Sequence, residues 1–268
     1  MWRKLILPAF TIILFTTGCS KVKVGDVLTE CKKLKDSDDP DAWRKIAAKL
    51  KPIYDDKRLK NNADADALRN FYVMSLIRTA AGNGEKLAKA AEIARDVQIA
   101  QPKDFLANLQ LGEIRQEQGK DDVAYPFLET AHLLKPDNVS ALTLLLKAAH
   151  KSGVPNADVH FVAAESIPAF KNDPKFYNLW GMWLVKQGDN DLRSRKYYMQ
   201  AMNKFSAGHR LDKENRELLL NMAILMDEKL HMPKVAKKYY LCFKNTLSDK
   251  DREQHVMIQQ RLRDLLRQ

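Results

Sequence analysis

The residues able to do chemistry are few, and their spacing builds no reactive site. His132, His150, His160, His209, His231 and His255 are the six histidines. No pair falls in the H-E-x-x-H spacing and no C-x-x-C occurs, so the ligand pattern for zinc is missing. Isolated histidines in such a chain read as packed or surface side chains. Asp36, Asp38, Asp39 and Asp41 are crowded enough to suggest calcium. The segment lacks the glycine and terminal glutamate of a calcium loop, and reads instead as an acidic linker ending in a helix cap. No G-x-G-x-x-G or G-x-x-x-x-G-K-[ST] cradles a phosphate, and no G-x-S-x-G holds a nucleophile. The expectation is a chain with no catalytic residues, no metal and no cofactor: not an enzyme.

Two further features bear on binding. Phe176, Tyr177, Trp180 and Trp183 form a dense aromatic run, which serves either as core or as an exposed ligand platform. The net charge is +11, from 45 Lys+Arg against 34 Asp+Glu, a balance that suits anionic lipid, glycan, nucleic acid or acidic peptide. The cations are scattered, as in Lys32-Lys33, Lys57-Arg58, Arg193-Arg195-Lys196, Lys234-Lys237-Lys238 and Arg261-Arg263. They read as solvated helix faces rather than a nucleic-acid arm, and no nucleic-acid partner is expected.

The elements that would position these residues are helices. Only 10 Gly and 10 Pro occur in 268 residues, with 45% hydrophobic and 29% charged. That argues against turn-rich all-β folds and against a multi-span membrane protein. Apolar periodicity and breaker residues predict helix pairs at 64–81 with 85–100, 104–118 with 121–134, 138–152 with 155–168, 174–187 with 190–206, and 213–230 with 232–246. A last amphipathic stretch follows at 248–267. Near the N-terminus, Asp39-Pro40 opens a helix through about Lys51, with Trp43, Ile46, Ala47 and Leu50 on one face.

Pro102 and Pro136 stand 34 residues apart. Between them, Leu111-Gly112, Gly119, Ala124, Leu128 and Ala131 fall where a helix–turn–helix unit needs them. Gly112 and Ala131 let two helices approach, Gly119 ends the first, and Pro136 stops the second. This stretch resembles a tetratricopeptide repeat. Asn108 and Arg115 stand where the family carries Trp and Tyr. Weaker copies follow the same frame: Ile77, Ala90, Ala94, Val97 and Pro102 upstream, and Leu145 and Gly153 downstream. Gly181, Gly188, Tyr198 and Ala201 mark a further copy, and Leu220, Ala223, Ala236 and Tyr240 the last. The resemblance implies an all-α fold: an α-solenoid of antiparallel helix pairs, a tetratricopeptide superhelix of about five repeats plus a C-terminal capping helix. The domain reading is 39–63 as an N-terminal capping helix or degenerate repeat, 64–247 as the repeat domain and 248–268 as the cap. In a row of stacked repeats Cys31 and Cys242 lie too far apart to bridge.

In tetratricopeptide proteins the first helix of each pair lines a concave groove that holds peptides. Carried across, the resemblance implies a partner-binding groove of Gln110, Glu113, Thr143, Lys147, Asn178, Met182, Lys186, Asn221 and Leu225, with Leu109 alongside. Asn178 and Asn221 could bond an extended peptide backbone, and Lys147 and Lys186 could attract a carboxylate. The set does not reproduce the family's carboxylate clamp for chaperone tails.

Residues 1–19 read MWRKLILPAFTIILFTTGC. A positive start, a short apolar stretch and small residues before Cys19 follow the order of a secretory signal. The Thr17-Gly18-Cys19 junction resembles a bacterial lipoprotein signal, with Thr16 where Leu is usual. That resemblance implies removal of residues 1–18, a lipidated Cys19, and a tether through 19–38 holding at most one short helix. Ser20 after the cysteine implies the outer membrane, on its periplasmic side. The function expected is a non-enzymatic, lipid-anchored scaffold of the cell envelope. It would present a groove to a protein partner in assembly of a secretion, pilus or outer-membrane complex. The alternative is an accessory subunit of an envelope enzyme that binds anionic glycan or lipid.

Overall fold

The computed structural model describes residues 24–54 and 64–266. Residues 1–23, on which the expected signal and Cys19 fall, and residues 55–63 and 267–268 lie outside the described residues. Among those described, the secondary structure is helical throughout, with no strand. They fall into two compact units divided after Ser75.

The first unit contains α1 (Val24–Lys35), α2 (Ala42–Tyr54) and most of α3 (Ala65–Arg78). The segment read as a tether therefore holds a helix of three turns. α1 packs on α2, burying Leu28 and Cys31 against a face that includes Ile46 and Leu50. Glu30 and Lys49 bridge the two at the surface. The aspartate cluster is used locally: Asp39 accepts from the Asp41 amide and pairs with Lys45, and Asp41 pairs with Arg44. Tyr54 and Tyr72 meet at 5.1 Å between ring centroids.

The second unit is a row of helix pairs: α4 (Gly84–Ala100), α5 (Phe105–Glu117), α6 (Asp121–Leu134), α7 (Val139–Ser152), α8 (Asp158–Glu165), α9 (Pro168–Lys171), α10 (Pro174–Asp189), α11 (Ser194–Leu211), α12 (Arg216–Ile224), α13 (Pro233–Asn245) and α14 (Arg252–Asp264). The first helices of successive pairs touch in series, α5 on α7, α7 on α10 and α10 on α12. Each of these is capped by an Asx side chain. Asp104, Asn138, Asp173 and Asn215 accept from the amides of Ala107, Ala141, Lys175 and Leu218, satisfying donors that a helix start leaves open. The second helices α6, α8, α11 and α13 have no such cap. Three of them are entered through left-handed or near-by turn residues, Gly119 (φ 71°), Asn156 (φ 62°) and His231 (φ 53°).

The glycines predicted at helix crossings sit there. A Cβ on Gly112 would lie 2.4 Å from Leu128, and one on Gly181 would lie 2.3 Å from Phe205. Asn108, in the family's Trp position, is buried and donates to the carbonyls of Pro102 and Asp104 at 2.9 and 2.7 Å. It ties the helix to the incoming connection where Trp would fill space.

The departures from the sequence reading have local causes. The helix expected at 155–168 is two pieces, because Pro168 has no amide to continue the ladder and instead starts the single turn α9. α11 runs to Leu211, one turn and more beyond the expected 206. The helix expected at 213–230 changes character: α12 ends at Ile224 and a π-helical turn spans Leu225–Lys229. That turn buries Asp227, which accepts from Arg261 Nε and Nη2 at 2.5 and 2.6 Å and from the Tyr240 hydroxyl at 3.1 Å. The pair fastens α14 to the last hairpin, and the oily side of α14 closes the core through Ile258 and Leu262.

The aromatic run is core. Trp180 is 5% exposed and Trp183 2%. Phe161 stacks on Trp180 at 5.6 Å and 16° and meets Trp183 at 5.4 Å. The Trp183 indole N–H donates to the Val154 carbonyl at 3.1 Å, so its polar edge is satisfied inside.

Candidate functional site

The residues assigned to the groove divide by what surrounds them. Thr143 and Lys147 of α7, with Asn178 and Met182 of α10, line one cavity of about 400 Å³. Its floor is apolar, made by Leu146, Phe170, Phe176 and Leu179 among others. Phe170 belongs to α9, so the break at Pro168 is what swings a ring under the first-helix layer. Lys147 and Lys175 are exposed at the rim, and neither makes a salt bridge among the described residues. Asp173 also lines the cavity, but its carboxylate caps α10.

Asn178 is 3% exposed, and both halves of its amide are engaged. Its Nδ2 donates to Glu217 Oε2 at 3.1 Å, and its Oδ1 accepts from Asn221 Nδ2 at 2.8 Å. The two asparagines expected to face a peptide separately thus form a short ladder from α10 to α12. Glu217, which the sequence reading did not single out, ends that ladder at the cavity wall.

The other assigned residues serve the scaffold. Gln110 (3% exposed) and Leu225 (2%) are buried. Leu225 opens the π-helical turn and belongs to the core. Glu113 pairs with Arg78 at 2.9 Å; burial pushes its carboxyl above the usual range, and the Arg78 charge opposes that. Lys186 donates to the Lys151 carbonyl across the α7–α10 contact, and its stem fills the space over Gly153.

Outside the cavity, the second helices carry a charge pattern that the sequence reading passed over as scattered. α6 and α8 hold Asp121, Asp122, Glu129, Asp158 and Glu165 and no Lys or Arg. α11 and α13 hold Arg195, Lys196, Lys204, Arg210, Lys234, Lys237, Lys238 and Lys244 and no Asp or Glu. The signal was legible only after helix assignment, because residues 212–232 between them carry their own acids and mask the segregation.

Among the described residues, no three His, Cys, Asp or Glu side chains gather as a metal site would require. Cys31 is buried and Cys242 exposed, and both are free. With an apolar floor, amide groups on its wall and two uncommitted ammonium groups at its rim, the cavity can hold an apolar side chain beside a carboxylate.

No protein-family model and no curated protein matches the sequence. Solved structures do. A crystal structure of MamA aligns over 70% of this chain and 96% of its own at 14% identity, with a TM-score of 0.53. MamA from residue 41 onward, from Desulfovibrio magneticus RS-1, aligns over 66% and 94% at 13% identity, with a TM-score of 0.52. A tetratricopeptide repeat protein from Parabacteroides merdae aligns over 91% and 98% at 12% identity, with a TM-score of 0.41. The likeness to the two MamA structures is one of fold, and the described residues form an all-α helical repeat solenoid.

Proposed function

We propose that the protein is a non-enzymatic scaffold that holds a segment of a partner protein against α7, α10 and α12. The partner segment places an apolar side chain in the 400 Å³ cavity and an acidic group against Lys147 and Lys175. The carrying observation is the pairing of an apolar floor with two rim lysines that make no salt bridge among the described residues. A buried apolar anchor ringed by polar contacts is the arrangement that concentrates binding energy at protein interfaces. The similarity in fold to repeat solenoids supports a binding role without naming the partner.

The N-terminal pattern ending in Cys19 supports a lipid anchor, and with Ser20 an address on the periplasmic side of the outer membrane. The scaffold would then serve an envelope assembly such as a secretion or pilus complex. Two experiments test these readings. A photocrosslinking residue at Met182, in living cells, should yield an adduct that Lys147→Glu with Lys175→Glu abolishes; the same probe at exposed Val256 should not yield it. An adduct insensitive to the lysines would refute the cavity reading. Mass spectrometry of the membrane-extracted protein should find a chain beginning at an acylated Cys19; an unmodified cysteine would remove the anchor.

A further inference from the structure

The turns joining α10 to α11 and α12 to α13 are neighbours. Lys229, at the end of the π-helical turn, donates to Asp189 at the end of α10 at 2.7 Å, and Asp189 also accepts from the Tyr198 hydroxyl of α11 at 2.6 Å. Each turn presents an apolar side chain to solvent: Leu192 is fully exposed, and Met232 is 40% exposed. Each is followed at once by cations, Arg195 and Lys196 after the first and Lys234 and Lys238 after the second, all exposed. None of the four makes a salt bridge among the described residues. The nearby acids are mostly neutralised inside the fold: Asp189 by Lys229, Asp191 by Arg193 and Asp227 by Arg261. Glu228 is the one exposed acid on the π-helical turn.

We propose that this edge of the second unit docks on an anionic lipid bilayer, with Leu192 and Met232 entering the headgroup layer and Arg195, Lys196, Lys234 and Lys238 meeting its phosphates. Cations crowded on helices without acids repel one another, and the acids beside them are few: Asp191, which Arg193 already pairs, and Glu228. An anionic surface supplies counter-charge to all four together, each contact strengthening binding about fivefold. A dissolved polyanion would satisfy the lysines equally. It would give no reason for two large apolar side chains at the tips, whereas a bilayer rewards their burial. The two turns are linked by the Lys229–Asp189 contact, so the two tips lie at one edge. This inference stands on the surface alone and does not depend on Cys19 or on the cavity.

Co-sedimentation of the full-length chain with phosphatidylcholine vesicles, with and without about 30 mol% phosphatidylglycerol, tests it at several salt concentrations. The apolar N-terminus is common to every variant, so differences between variants report the edge. Reversal to Glu at Arg195, Lys196, Lys234 and Lys238 should lower partitioning onto the anionic vesicles by at least about 100-fold. Leu192→Ser with Met232→Ser should lower it by roughly tenfold at unchanged salt slope. Reversal at Lys103, Lys120, Lys135 and Lys171, which removes the same net charge elsewhere, should have a much smaller effect. Equal loss from the two reversals would reduce the edge to net charge and overturn the proposal. Wild-type partitioning by the serine variant would also overturn it, and would identify a general polyanion site. So would any anionic-vesicle preference that survives the edge reversal.

Discussion

In the α5/α6 hairpin the helices cross where Gly112 faces Leu128, and in the α10/α11 hairpin they cross where Gly181 faces Phe205. The crossings are equivalent, but their surroundings diverge. α6 meets α8 through Glu129, whose Oε1 lies 3.2 Å from His160 Nε2 and accepts from the Tyr125 hydroxyl at 3.2 Å. α11 meets the other side of α8 through Lys204, which donates to both oxygens of Glu165 at 3.1 Å and lies 3.4 Å from the Trp180 ring centroid. One outward helix has no cation and the other no acid. A repeat frame thus fixes a handful of small and apolar positions at the crossing and leaves the outer face free to acquire its own chemistry.

The largest effects should come from the crossings. Ala in place of Gly181 puts a Cβ within 2.8 Å of three atoms of the Phe205 ring, itself 1% exposed and unable to swing away. Overpacking of this kind costs about 3 kcal/mol, read as a lowered urea midpoint. Gly112→Ala meets the smaller, branched Leu128. In both variants about 1 kcal/mol of gained helix propensity offsets part of the clash, which leaves Gly112→Ala a net cost of about 1 kcal/mol and Gly181→Ala the larger loss. If the comparison is sound, adding Phe205→Leu to Gly181→Ala restores much of the loss, as a pair in contact should. Independent, additive losses would show that the two hairpins do not close through the same contact.

A middling effect is expected at Lys204. Lys204→Met removes a cation from the Trp180 face and leaves Glu165 without its partner, costing about 1 kcal/mol. The loss is read as a urea midpoint below that of the wild type. An unchanged midpoint would mean that the Lys204 contacts do not help to hold α11 on α8.

Much of this fold was legible because its constraints are local. Pro102 and Pro136, the Leu111-Gly112 pair and the second glycine at 119 state a helix–turn–helix unit within one short window. The site was legible only in part. The resemblance to tetratricopeptide repeats puts Thr143, Lys147, Asn178 and Met182 on an inner layer, and these four line one cavity. It does not say that Asn178 will turn to Glu217 and Asn221, or that Leu225 and Gln110 will be buried, because those outcomes depend on neighbouring helices. The Asp227–Arg261 pair spans 34 residues and depends on a π-helical turn, which has no clear sequence signal. The break at Pro168 was visible as a proline, but its consequence, Phe170 under the cavity, was not.

The smallest effect concerns the α6 side of α8, where a buried histidine makes stability depend on pH. His132 and His160 meet edge to face at 5.6 Å between centroids. Burial lowers the His132 pKa from its ordinary value, the His160 charge adds to that, and Glu129 opposes it. The His132 Nδ1 is buried without a hydrogen-bond partner. A histidine whose folded pKa lies below its unfolded value leaves the unfolded chain with more bound protons in the interval between them. Stability therefore rises with pH through that interval and falls on acidification below about 6.5. His150, lowered first by burial and then by Lys186 and Lys151, works in the same direction. The urea midpoint of the wild type should drop between pH 7 and pH 5. His132→Leu should flatten that drop while changing the midpoint little at pH 8, since it removes a group that is neutral there. An unchanged slope in His132→Leu would mean that burial of His132 on the α6 side of α8 does not make the fold sensitive to acid.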